Sequence, residues 1–123
     1  MSFNNENVAY LENSDFSADG KLVADAIDMS MPVIIMLYGV NCPHCHHAMP
    51  EYIKLSKENP DMATYTAIVT DSAEADQELL QRIQSFIPGI QGVPTFVLFR
   101  NGVYVKTHQG DRTAAALKQF IST

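Results

Sequence analysis

The sequence predicts an α/β fold in which one central mixed β-sheet of four to five strands carries helices on both faces. Three observations support that expectation. "PVIIMLY" (Pro32 to Tyr38) is apolar at every position, as in a strand covered on both sides. "ATYTAIV" (Ala63 to Val69) is β-branched and aromatic, a second inner strand. "TFVLFR" and "VYVKTH" flank Asn101-Gly102, a strong short-range signal for an antiparallel hairpin.

Taken in order, "VAYL" (Val8 to Leu11) is a short strand that ends in the turn-rich "ENSD". "ADGKLVADAI" reads as a helix, with Leu22, Val23, Ala26 and Ile27 on one face. After the first inner strand, a helix opens near Cys42, draws apolar positions from Tyr52, Ile53 and Leu55, and stops before Pro60. Pro50 predicts a kink within it. Beyond the second inner strand, Ala75, Leu79, Leu80, Ile83 and Phe86 form a helical stripe, and Asp71 with Glu74 resembles a capping box at its start. "RTAAALKQFI" closes the chain as a helix. Crossovers between the early strands imply parallel pairing, and the hairpin adds antiparallel strands.

With 123 residues and no repeat or linker, one domain over 1–123 is expected, residues 1–7 forming a flexible N-terminal segment. The formal charge of −6, without a Lys/Arg run, argues against a nucleic-acid surface. "PVIIMLYGV" is far shorter than the roughly 20 residues of a membrane helix, so no membrane partner is expected. The polar start, "MSFNNENVAYLENSD", shows no secretory apolar region. Two cysteines three positions apart close too small a loop to staple a fold. A cytoplasmic monomer is the expectation.

The chemistry is concentrated in "GVNCPHCHHAMPEY", which holds both cysteines and three of the four histidines. The spacing admits a redox dithiol, a soft-metal site or a c-type haem attachment. Zinc would need two further ligands from His46, His47 or the distant His108. Haem attachment is formally complete at His46, but nothing else indicates export or a haem pocket. Cys42 follows an inner strand and opens a helix, where free N–H groups and the positive dipole end stabilise a thiolate. Cys45 lies almost one turn on, within reach of the first sulfur but deeper. That asymmetry suits Cys42 as nucleophile and Cys45 as resolving thiol. Pro43 fits the first helical position, and His44 is placed to tune the thiolate. His46 and His47 read as exposed side chains without a role.

With "VIIMLYGVNCPHC", a proline five residues after the second cysteine (Pro50) and "GIQGVPTFVLFRNG", the chain resembles the thioredoxin family from "VAYLENSDF" to "LKQF". The resemblance implies the thioredoxin fold and a protein-disulfide oxidoreductase working through a Cys42–Cys45 redox dithiol, with neither cofactor nor metal. It implies a cis peptide bond before Pro94, which packs on the sulfurs, and a main chain at Val93 that pairs with extended substrate. Gly92, Val93, Pro94, Asn41 and Tyr38 are therefore the expected substrate-binding residues. Protein disulfides or dithiols are the implied partners, with a reductase or glutathione as electron source. The chain departs from thioredoxins proper in four respects. Asn41 replaces the tryptophan before the first cysteine. Pro43-His44 replaces Gly-Pro and matches bacterial periplasmic dithiol oxidases. Met36 replaces the buried aspartate, and Ala67 the lysine facing it. The segment from Asp71 to Pro94 is longer. Two other readings stay open: a glutathione-dependent glutaredoxin, weakened by Gly92-Val93-Pro94 where that group has Thr-Val-Pro, and a binding subunit of the same fold with incidental redox activity.

Overall fold

The computed structural model describes residue 3 and residues 7–123. Five strands form one sheet in the order β1-β3-β2-β4-β5. These are β1 (Ala9–Tyr10), β2 (Val33–Tyr38), β3 (Thr64–Val69), β4 (Thr95–Arg100) and β5 (Val103–Thr107). β1 and β2 run parallel to β3, whereas β4 is antiparallel to both β2 and β5. All six residues of β2 are buried, the consequence of a strand whose two faces are both covered.

Alternation along the strands divides the core in two. Ile34, Met36 and Tyr38 point to the side covered by α1 (Pro43–Glu58) and α3 (Ala114–Ser122), where they meet Cys45, Tyr52, Leu117 and Phe120. Val33, Ile35 and Leu37 point to the other side, against Leu79 and Ile83 of α2 (Glu74–Phe86). The hairpin turn forms as expected, with Asn101 at φ 53° and Gly102 at φ 78°. Of the residues expected to be flexible, 1, 2 and 4–6 lie outside the described set. Phe3 is buried, its ring packed edge-on against Tyr38 and Tyr52.

Two local expectations are corrected. No helix forms over residues 18–27. Asn13–Asp15 make one 3-10 turn, and the chain then reverses so that Phe16 bridges Leu22. Leu22 and Ala24 are buried while Val23 is 45% exposed, an extended rather than a helical alternation. Gly20 sits at φ +85°, and a Cβ there would lie 2.6 Å from the Phe86 ring, so the tight turn is what lets Phe86 pack down. The second correction concerns the start of α2. Asp76, not Glu74, caps it by accepting from the amides of Ser72 and Ala73 at 2.9 and 2.7 Å. Asp71 is engaged elsewhere.

Candidate functional site

The parallel register of β2 with β3 ends at Tyr38↔Val69, and the antiparallel register of β2 with β4 begins at Leu37↔Thr95. Three loops therefore meet at one end of the central strand: residues 39–42, the segment after β3, and the segment before β4. This topology brings Cys42 and Val93, 51 positions apart, into contact.

Cys42 is the N-cap of α1, with Pro43 at the first helical position. Its sulfur accepts the Cys45 amide N–H at 3.2 Å, so a free helix-start donor points at the reactive atom. Cys42 and Cys45 form a disulfide with Cα atoms 5.2 Å apart. Cys42 is half-buried, whereas Cys45 is 0% exposed, packed beneath it. The Val93 carbonyl oxygen lies 3.5 Å from the Cys42 sulfur. The Val93–Pro94 peptide bond is cis, and Pro94 is buried.

Below the sulfurs the interior is apolar. Met36 and Ala67 are both 0% exposed and face each other across the β2–β3 pair. No carboxylate stands at either position. Tyr52, fully buried, belongs to the same core. Its hydroxyl donates to Thr66 O at 2.7 Å and accepts from Thr66 N–H at 3.1 Å. Burial pushes its phenol well above the ordinary tyrosine range, and Tyr65 beside it up to about 12 for the same reason.

A cavity of about 320 Å³ lies beside Pro94, lined by Gly92, Val93, Thr95, His108, Gly110 and Arg112 among others. A second, of about 330 Å³, shares Gly110 and Arg112 and is walled by His44, His47 and Glu51 of α1. The two meet at Gly110 and Arg112 in the loop before α3, one reaching Val93, whose carbonyl meets Cys42, and the other reaching His44 between the cysteines. Glu51 helps hold that loop by accepting the Ala114 amide at 3.0 Å.

The residues singled out from sequence fall into three groups. Cys42, Cys45, Pro43, Val93, Pro94 and Gly92 come together as described. Asn41 and His44 are exposed beside the disulfide, His44 on a cavity wall and Asn41 on the turn. Tyr38 does not join them. It is 2% exposed and its hydroxyl reaches the Tyr10 hydroxyl at 3.3 Å, so it belongs to the core rather than to a docking edge. Burial and that contact hold its phenol above the usual range. The odd-even alternation of β2, which buries position 38 with 34 and 36, already contained this outcome.

Two contacts were not anticipated. Asp71 Oδ1 accepts the Val40 amide at 2.8 Å, and the His46 ring Nε2 lies 3.0 Å from the Val40 carbonyl oxygen. The first had a signal in the sequence. Once β2 and β3 pair in parallel as Tyr38↔Val69, positions 40 and 71 stand two residues beyond the last pair on both strands. The His46 contact had none, because it depends on the shape of the intervening turn. Among the described residues, no three His, Cys, Asp or Glu side chains gather as a metal-holding group. No helix there is long and apolar enough to cross a membrane.

The family model described as Thioredoxin matches residues 8–123. The chain is similar to a protein disulfide-isomerase of Hordeum vulgare, 30% identical over 102 residues, covering 79% of this chain and 18% of that protein. It is similar to DnaJ homolog subfamily C member 10 of Rattus norvegicus, 24% identical over 110 residues, covering 89% of this chain and 12% of that one. The chain thus spans less than a fifth of either relative. Among solved structures, Chlamydomonas reinhardtii thioredoxin f2 matches with a TM-score of 0.68 at 23% identity over 94% of both chains. The J-Trx1 fragment of ERdj5 matches with a TM-score of 0.69 at 23% identity, over 94% of this chain and 50% of that chain. At these identities the structural likeness speaks to the fold.

Proposed function

The chain belongs to the thioredoxin family, and from the site that this fold presents we propose that it is a thiol–disulfide oxidoreductase acting on protein disulfides or dithiols. One observation carries the reading: the Cys42–Cys45 disulfide opens α1 and sits against the Val93 carbonyl, beside an open depression. In the reducing direction, the Cys42 thiolate attacks one sulfur of a substrate disulfide. A Cys42–substrate mixed disulfide forms and the other substrate sulfur leaves as a thiolate. Cys45 then loses its proton and attacks the Cys42 sulfur. The Cys42–Cys45 bond forms, the mixed disulfide breaks, and the second substrate thiolate departs, so two electrons have passed to the substrate. The reverse sequence oxidises a substrate dithiol. The dithiol itself carries both electrons, so the exchange requires no cofactor; a reductase or glutathione would regenerate it.

The asymmetry of burial assigns the roles. An incoming disulfide can reach the half-buried Cys42 but not Cys45, which is sealed at 0% exposure. The main chain at Gly92 and Val93 offers an edge on which an extended substrate segment can lie. Insulin reduction with dithiothreitol, a thioredoxin reductase system and glutathione as separate electron sources tests the reading and ranks the donors. Cys42→Ser should abolish exchange, and Cys45→Ser should accumulate mixed disulfides that dithiothreitol releases. Trapping by the Cys42 variant instead would reverse the roles. Two variants that both keep full activity and trap no substrate would end the proposal.

A further inference from the structure

We infer that His46 is a positioning residue for the Cys42 thiolate, acting through the Val40 carbonyl; the inference rests on the dithiol reading above. The turn that delivers Cys42 from β2 to α1 is only four residues long, and side chains hold it at two consecutive peptide units. Asp71 Oδ1 takes the Val40 N–H at 2.8 Å. The His46 ring reaches back six positions to Val40 O at 3.0 Å, with Nε2 as the donor because a carbonyl can only accept. The backbone amide of His46 meanwhile donates to Cys42 O at 3.1 Å. One residue on the first turn of α1 therefore grips the connection both at Cys42 and two residues before it.

This grip bears on the reactive sulfur because the Cys42 side chain is the cap of the helix. Its sulfur meets the Cys45 N–H at 3.2 Å only while the residue keeps its extended backbone, φ −103° and ψ 110°. That conformation is set by the chain entering from Val40. When the disulfide is reduced, the same N–H is the donor that stabilises the thiolate, and a turn free to rock would lengthen it. The thiolate would weaken although no group touching the sulfur had changed. Gly39 contributes by being small: it is buried, and a Cβ there would come within 2.9 Å of Asp71 Oδ2.

The test compares His46→Ala with His46→Gln. The glutamine amide nitrogen stands as many bonds from the backbone as imidazole Nε2 and donates a hydrogen bond, but it carries no charge and no ring. The readouts are the Cys42 thiol pKa, followed by ultraviolet thiolate absorbance, and the reduction potential in glutathione equilibration. A net hydrogen-bond contribution at an accessible site corresponds to roughly a twofold to tenfold change in an equilibrium. His46→Ala should therefore raise the Cys42 pKa by about 0.3 to 1 unit, with a matching fall in potential, and His46→Gln should restore most of both. Urea unfolding of the oxidised forms records any general loss of stability separately. Unchanged pKa and potential in His46→Ala would overturn the inference. So would a His46→Gln variant as impaired as His46→Ala, because imidazole charge rather than the contact would then be responsible. If the wild-type protein turns over no disulfide substrate while the pKa responds as expected, the functional reading fails and the positioning role stands.

Discussion

Tyr52→Phe isolates one buried hydroxyl whose environment is fully specified. The ring is 0% exposed, in edge contact with Tyr65 and Phe96, and phenylalanine preserves that packing. The substitution removes the hydroxyl shared between Thr66 O and Ile34 O, at 2.7 and 3.1 Å, and the acceptor for Thr66 N–H, in the middle of β3 and β2. Leaving a buried backbone group short of a partner costs about 1 to 3 kcal/mol. With the hydroxyl's contacts to two adjacent strands lost, we expect about 2 kcal/mol at neutral pH, or a fall of roughly 8 °C in melting temperature. The pH dependence sharpens the test. Burial raises the folded pKa of Tyr52 well above 10.0, so the neutral phenol is the form the fold holds. Its contribution is fully present below the unfolded pKa and is lost as pH rises from there through the folded value. At pH 11 the unfolded wild type gains about 1.4 kcal/mol from ionising this one phenol, and the phenylalanine variant gains nothing there. The stability gap should therefore narrow from about 2 to below about 1 kcal/mol between pH 8 and pH 11. Urea titrations of the oxidised protein at the two pH values measure the gap directly. A variant as stable as wild type at pH 8, or a gap that stays constant to pH 11, would refute the reasoning.

Other perturbations probe separate parts of the structure. Gly39→Ala should drive the Asp71 carboxylate off Val40 and cost about 1 kcal/mol; combined with Asp71→Ala the two losses should not add, and an additive double variant would place the cost elsewhere. Arg82 donates to the Asn13, Phe16 and Ser17 carbonyl oxygens at 3.0, 2.9 and 2.5 Å, so Arg82→Ala should speed amide exchange at Leu22 and Val23, and Arg82→Lys should not rescue it because one ammonium cannot span three acceptors. Unchanged exchange would mean that Phe16 and Leu22 hold the segment by packing alone. His44, exposed between the cysteines, is expected to favour the reduced thiolate and give a potential above the roughly −270 mV of thioredoxin. Pro43→Gly with His44→Pro should lower it by roughly 30 to 60 mV, and a potential unmoved in glutathione equilibration would make the pair a neutral spacer.

The parts of this fold that could be read in advance are those where a local pattern and the tertiary environment agree. β2 is apolar at every position because both its faces are covered, and Asn101-Gly102 turns left-handed because little else can. The stretch from Ala18 to Ile27 is the opposite case. Its apolar residues suit a helix, yet the Leu22 amide donates to the Gly102 carbonyl at 2.8 Å, a partner eighty residues away that no local pattern contains. The same division runs through the site. The cysteines, Pro43 and the Val93–Pro94 segment declare themselves as motifs, and the helix-start asymmetry follows from capping alone. Tyr38, expected beside the substrate from the resemblance, is turned inward by the alternation of β2 and packs with the core. His46 reads as an exposed side chain and Asp71 as part of a capping box, since what they hold is backbone, and a backbone group leaves no trace in the identity of the residue that carries it.

The two cores on either side of the sheet share almost nothing, but Val93 packs against both. The cysteines and α1 belong to one core, α2 to the other. Changes in the α2 layer reach the sulfurs by two narrow routes: Val93 at the seam, and Asp71, which holds the Val40 amide on the turn that delivers Cys42. Such an arrangement leaves half of the molecule free to diversify while the redox centre keeps its form.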